Sequence, residues 1–317
     1  MSADGVRVCT TARLHLGFLD LAGDLGRKFG SIGLAIDGFA TEVRMRRAAQ
    51  FASRGVESER AAQLVRRLAD VLKRPPDVAV EIAAAIPAHA GLGSGTQLAL
   101  ALAAAFRRLN DLPPNTAADT AILERGARSG VGVALFESGG FVLDAGRGPA
   151  TIVPPILARL AFPPAWRVVL LLDANLAGVH GEVERAAFAA LPPLASSAAA
   201  ELCRRALMQI APGVAEADFR EFGEGVSAIQ RILGDHFAPA QGGGRFTSPR
   251  VGAVLSRLEA AGAIGVGQSS WGPTGFAFAA DPDEAGRLAA LARSEALGEI
   301  DVQIHSARPR GADVVSL

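Results

Sequence analysis

Residues 86–105 read IPAHAGLGSGTQLALALAAA, with three glycines in five positions directly ahead of a long apolar run of helical character. The N-terminus of a helix leaves about four backbone N–H groups without partners and carries roughly half a positive charge, so it stabilises an anion without any side chain. Gly91, Gly93 and Gly95 let the backbone approach such an anion closely. Ser94 and Thr96 add hydroxyl donors, Thr96 is the expected N-cap, and Gln97 opens the helix proper. Phosphate is the natural guest. No lysine follows, as GxxxxGK[ST] requires, and the spacing is not a dinucleotide GxGxxG with a downstream ribose-binding acid. Glycine-rich turns between a strand and a helix also serve purely structural ends, so the rest of the chain must decide.

Further polar residues gather in short segments. Arg13 and His15 lie on a strand leading to Asp20, and Arg27 and Lys28 occupy the glycine turn that follows, a cation pair suited to phosphate oxygens. Asp24 reads as a solvated turn residue. Arg125, Arg128 and Ser129 stand in ERGARSG, where two arginines three apart share a helix face and could grip a second anionic group, although such pairs more often serve solubility. Gln268, Ser269, Ser270 and Trp271 form a loop between apolar strands, with the donors and the one large ring of a pocket wall. The bland alternative there is a core-edge tryptophan with turn serines. His89 lies in the approach to the glycine loop, and His180 with Glu182 opens a helix; a lone histidine more often has a structural role.

These groups need elements to position them. A strand over 6–18 passes through a glycine turn into a second strand over 40–46, a hairpin with a functional loop. Helical spacing runs over 57–73 and is stopped by Pro75 and Pro76; a strand over 78–87 delivers the chain to the glycine loop. The helix over 97–109 is apolar almost all round and must be buried in the middle of its domain. A helix near 116–128 and a strand over 138–146 close the first half, and prolines near 149–155 mark a linker. The second half reads as a strand at 166–173, helices at 182–190, 196–210 and 215–233, and a glycine loop QGGGRF. A helix at 249–261, a strand–loop–strand over 262–280, a helix at 282–297 and a strand at 299–307 complete it. Strands mixed with helices, without strict βαβ alternation, predict α+β halves, here 1–150 and 151–317.

Composition excludes several classes. The chain has 317 residues, 50% of them hydrophobic, enough for two ordinary cores. Formal charge is +0, from 32 basic and 32 acidic residues, so no global field draws it to nucleic acid or to an anionic membrane. Any anion must be met by a local cluster. Two distant cysteines, Cys9 and Cys203, suggest neither a zinc site nor a disulfide framework. The N-terminal residues lack a signal-peptide pattern and no apolar run reaches membrane length, so the expectation is a soluble, cytoplasmic protein.

The segment Pro87 to Thr96, P-x-x-x-G-L-G-S-G-T, resembles the phosphate-binding motif of the GHMP superfamily, which includes galactokinase, homoserine kinase and mevalonate kinase. The usual continuation GLGSSAA is here GLGSGTQ, and in that departure the chain is similar to the β-ribofuranosylaminobenzene 5′-phosphate synthases of methanopterin biosynthesis. ARLHLGFLDL, GSIGLAID, ERGARSGVGVALFESGGFVLDAG, HGEVERAAF and GVGQSSWGPTGFAF resemble the same branch and extend the likeness over most of the chain.

The resemblance implies a two-domain GHMP-kinase-like α+β fold, with an N-terminal domain like ribosomal protein S5 and a ferredoxin-like C-terminal domain. It implies a reaction that joins phosphoribosyl pyrophosphate to 4-aminobenzoate or 4-hydroxybenzoate, releasing CO2 and pyrophosphate. In this reading Arg13, His15, Asp20, His89, Gln268, Ser269 and Ser270 are catalytic. Arg27, Lys28, Gly91, Gly93, Ser94, Gly95, Thr96, Gln97, Arg125, Arg128, Ser129, His180 and Trp271 bind substrate. Mg²⁺ is the expected cofactor, with Asp20 and Asp144 as its carboxylates, since Mg²⁺ takes one or two and leaves its other positions to water and phosphate. A homodimer is expected on the same ground. The rival is an ATP-dependent small-molecule kinase of the same fold, against which the altered GLGSGTQ argues. A non-catalytic scaffold has no reason to supply polar groups in three glycine-flanked loops.

Overall fold

The structure is a computed structural model that describes residues 4–176, 178, 181–296 and 298–317, the side chains of 182–185 and 188 excepted. The first half runs β1 (Gly5–Cys9), β2 (Ala12–Asp20), β3 (Phe29–Ile36), β4 (Glu42–Arg47), β5 (Ala52–Gly55), α1 (Ser58–Leu72), β6 (Val78–Ala84), α2 (Ser94–Leu109), α3 (Thr116–Ile122), α4 (Val131–Ser138), β7 (Phe141–Asp144) and β8 (Ile156–Leu160). The second runs β9 (Arg167–Leu172), α5 (Gly181–Ala190), α6 (Ser196–Arg205), α7 (Ala211–Glu216), α8 (Phe219–Phe237), α9 (Pro249–Ala260), β10 (Val266–Gln268), β11 (Gly275–Ala279), α10 (Pro282–Ala296), β12 (Asp301–His305) and β13 (Asp313–Ser316).

Among the described residues three sheets and their helices form four cores. The first has the order β13-β1-β4-β6-β5. Its strands alternate, with Val6, Val8, Val43, Met45, Val80 and Ile82 turned inward beneath α1 and α2. The second, β2-β3-β7-β8, is covered on both sides, which is why β2 and β3 carry nearly continuous apolar runs. Leu14, Leu16, Ile32 and Leu34 join α6 and α8 in one core, while Ala35 and Val142 meet Val131 and Leu135 of α4 in another. The third has the order β10-β11-β9-β12, with α9 and α10 on one face, so β9–α9–β10–β11–α10–β12 winds as the ferredoxin-like unit that was expected. Helix α2 is buried nearly all round, as its apolar sequence requires.

Several boundaries differ from expectation. The 6–18 strand is two strands in different sheets, and β2 pairs not with 40–46 but with β3, inside the segment read as a turn. Glycine in GSIGLAI serves packing there: a Cβ on Gly33 would lie 2.1 Å from Val131 of α4. The helix expected to 128 stops at Ile122, because Glu124 and Gly126 both take positive φ, and α4 was not foreseen. Two strand pairings cross the expected 150/151 boundary: β8 pairs with β7, and β13 returns to β1.

Candidate active site

The glycine loop has two sides with different uses. On one side it is packed solid. Gly91 has φ +80°, and a Cβ there would lie 2.2 Å from the Ser269 carbonyl oxygen and 2.9 Å from Gly272 Cα. Arg13 Nη1 and Ser269 Oγ both donate to the Gly91 carbonyl, at 2.8 and 2.7 Å, and the Gly178 amide donates to the His89 carbonyl at 2.8 Å. Loops 89–93, 178 and 269–272 therefore interlock, and this is what Ser269 does. Its hydroxyl also accepts from the His15 amide at 3.0 Å, while the Ser270 amide donates to the His15 carbonyl at 3.1 Å.

On the other side lies the start of α2. Gly93, left-handed at φ 84°, is the N-cap in place of the expected Thr96. The amides of Thr96 and Gln97 fold back onto the Gly93 carbonyl, whereas those of Ser94 and Gly95 have no acceptor among the described residues. Two guanidinium groups flank this end: a Cβ on Gly95 would lie 2.5 Å from Arg60 Nη2 and 3.7 Å from Arg125 Nη1. Arg125 Nε is buried without a hydrogen-bond partner among the described residues, and burial together with the charge of Arg60 pulls the Arg125 pKa down. Arg60 itself makes a 3.4 Å contact with Glu57. Two like charges beside a positive helix end are held at a cost that an anion would relieve.

Of these groups Arg125 lines a cleft of about 870 Å³, whose wall also includes Lys28, Arg128, Glu124, Phe29 and His236. Arg125 and Arg128 are both present as expected, on the loop between α3 and α4 rather than on a helix. Arg60 was not anticipated. Its signal in the sequence is indirect: Gly95 is a glycine inside a helix at ordinary φ, which marks a close approach by another group.

Other expected residues are used structurally. Gln97 is fully buried and donates to the Gly132 carbonyl at 2.9 Å, and Thr96 packs against Gly132. Gln268 is saturated: its Oε1 accepts from the Thr247 amide and its Nε2 donates to Gln241 Oε1, so it anchors the QGGGRF loop. Arg27 donates to the carbonyls of Ala145 and Gly146, so of the expected cation pair only Lys28 lines the cleft. Ser129 donates to Asp144 Oδ2 at 3.3 Å. Asp144 is fully buried and accepts from the Gly130 and Gly146 amides, and burial raises its pKa. Asp144 Oδ2 is thus occupied in fixing the start of α4 and Oδ1 in the turn after β7, which does not suit a metal ligand. Asp20 Oδ1 accepts from the amides of Ala22 and Gly23; its Oδ2 accepts none among the described residues. Among those residues no group of three or more His, Cys, Asp and Glu is placed to hold a metal. The His89 side chain is exposed, and Trp271 is buried against Phe237. His180 lies outside the described residues.

His15 is buried, and neither ring nitrogen has a hydrogen-bond partner among the described residues. Burial, reinforced by the charges of Arg13 and Arg128, lowers its pKa from 6.5 to about 3, so the ring is neutral at physiological pH.

The architecture matches that of homoserine kinase from Cytophaga hutchinsonii, with a TM-score of 0.72 and 20% identity over 98% of each chain. The family profile of the GHMP kinases N terminal domain matches residues 58–140, and that of GHMP kinases C terminal matches 210–295, so the fold is of the GHMP kinase class. Beta-ribofuranosylphenol 5'-phosphate synthase of Archaeoglobus fulgidus is 34% identical over 241 residues, covering 72% of this chain and 76% of that protein. The protein of the same name from Methanothermobacter thermautotrophicus is 29% identical over 96% of this chain and 97% of its own length. The chain belongs to this synthase family within the GHMP class.

Proposed function

We propose that the chain is a decarboxylating phosphoribosyltransferase, which condenses phosphoribosyl pyrophosphate with 4-hydroxybenzoate or 4-aminobenzoate and releases CO2 and pyrophosphate, in methanopterin biosynthesis. The observation that carries this reading is the convergence of Arg60 and Arg125 on the bare amides of α2, with Lys28 and Arg128 in the same cleft wall. Such a donor has phosphate at both ends, and a cleft with cations in several places suits two anionic groups held apart. The amides of Ser94 and Gly95 with Arg60 and Arg125 hold one group; Lys28 and Arg128 hold the other. As pyrophosphate leaves, the charge that develops on it meets donors already in place. Mg²⁺ enters as part of the diphosphate substrate, and Asp20, with one free carboxylate oxygen, is the residue of the expected pair suited to touch it. The chain works as a soluble cytoplasmic homodimer on this reading.

The test is direct. Incubation with phosphoribosyl pyrophosphate, Mg²⁺ and either benzoate releases CO2 and pyrophosphate in equal amounts. ATP-dependent phosphorylation of a small alcohol, with no CO2 release from the benzoates, would instead favour a kinase.

A further inference from the structure

Behind the cleft lies a void of about 20 Å³, room for roughly one water, lined by His15, Phe18, Phe237, Trp271, Arg245 and Ser270 among others. The two spaces are separated by aromatic rings. Phe18 faces the void and packs on Phe29 of the cleft, with ring centroids 5.7 Å apart; Phe237 faces the void and packs on His236 of the cleft, at 5.2 Å. Trp271 meets Phe237 edge-on at 4.9 Å, and the His15 ring meets Phe18 at 4.6 Å. A histidine with two idle nitrogens inside an aromatic box is costly unless something uses them. The His15 backbone is clamped on both sides by Ser269 and Ser270, and the register of β2 against β3 shifts between His15 and Gly17, a bulge of the kind that re-aims a side chain.

Resting on the function proposed above, we propose that His15 reads the para substituent of the aryl acceptor, accepting a hydrogen bond from its hydroxyl or amino group inside the box of Phe18, Phe237 and Trp271. The orientation follows from the chemistry. The ring carbon that bears the carboxylate must face the sugar in the cleft, so the para group points away from it, into the box. Admission of the ring requires Phe18 or Phe237 to swing, since the void alone is too small.

The hydrogen bond has a catalytic consequence. As that ring carbon bonds to the anomeric carbon, the bond from the anomeric carbon to pyrophosphate oxygen breaks with its electron pair leaving on pyrophosphate. The ring's positive charge concentrates on the para heteroatom, whose proton becomes far more acidic than in the free phenol or aniline. His15 takes that proton although it is a weak base. The carboxylate carbon then departs as CO2, its bonding pair restores the aromatic ring, and the proton returns to the heteroatom.

Calorimetric titration of the protein with 4-hydroxybenzoate and with 4-methylbenzoate, which matches it in size but has no para donor, tests the inference apart from turnover. The wild-type protein is expected to prefer 4-hydroxybenzoate by about tenfold or more. His15→Phe should erase the preference and His15→Gln, which keeps an acceptor, should retain part of it, while phosphoribosyl pyrophosphate binding stays within about twofold. In turnover, His15→Phe should lower kcat for 4-hydroxybenzoate about 100-fold. Equal binding of the two acids to the wild-type protein overturns the inference without any variant, as does a preference that survives in His15→Phe; either would mean that the void holds an ordered water only. Release of CO2 and pyrophosphate without para discrimination would leave the transferase reading standing and sink this one. Discrimination without any turnover would do the reverse.

Discussion

The two sides of the glycine loop use the same residue type for opposite purposes. At Gly91 the missing side chain lets three loops interlock, and the Gly91 carbonyl and Ser269 hydroxyl are spent on protein. At Gly95 it leaves room for two arginine tips beside the bare amides. One side is architecture and the other gathers positive charge. The contrast teaches that a glycine motif alone does not locate a ligand; the groups that press on each glycine do.

Substitutions separate the two sides. Gly91→Ala, forced into a left-handed φ against the Ser269 carbonyl, should destabilise the fold by about 3 kcal/mol or more, read as a lowered denaturant midpoint. Its loss of activity should follow the loss of folded protein. Arg125→Ala or Arg60→Ala should instead weaken binding of phosphoribosyl pyrophosphate about 10- to 100-fold with little loss of stability, since each removes one of two like charges. A large drop in unfolding midpoint for either arginine variant would place the pair on the structural side. Binding of the sugar phosphate should also weaken with added salt, as expected for partly exposed charges.

Acid probes the neighbouring buried ring. With a folded pKa of about 3 against 6.5, His15 takes up its proton more readily in the unfolded chain, so its contribution destabilises the fold progressively as pH falls from about 7 towards 3. The unfolding midpoint of His15→Gln should fall less steeply over that interval; parallel slopes would refute the assignment. The smallest effect is expected of Gly95→Ala. Its new methyl group meets the flexible end of Arg60 and its backbone is ordinary helix, so stability should change by less than about 1 kcal/mol while ligand affinity falls several-fold.

Much of this was legible beforehand. The α2 helix and the loop before it follow from apolar periodicity after glycines, and Lys28, Arg125 and Arg128 do reach one cleft. The GHMP class and the synthase family were carried by ordered motifs along the chain. What was not legible depends on partners far away in sequence. Arg60 looks like any helix-surface charge until α1 packs beside α2, and β3 looks like a turn until Val131 of α4 needs its glycine. Gln268 and Ser269 were expected as catalytic, but their polar atoms close loops; residue type reveals hydrogen-bonding capacity and not where it is used. Asp144 shows the same, as a carboxylate consumed by backbone amides.

The return of β13 to β1 bears on how the molecule is made. Val6 lies opposite Ser316, so the sheet that supports α2 stays one strand short while the ribosome is still delivering the second half. Emerging polypeptide must hold an unfinished edge until Asp313–Ser316 has been made, and only then does the C-terminal half of α2, where Arg108 donates to Ser316, acquire its full backing.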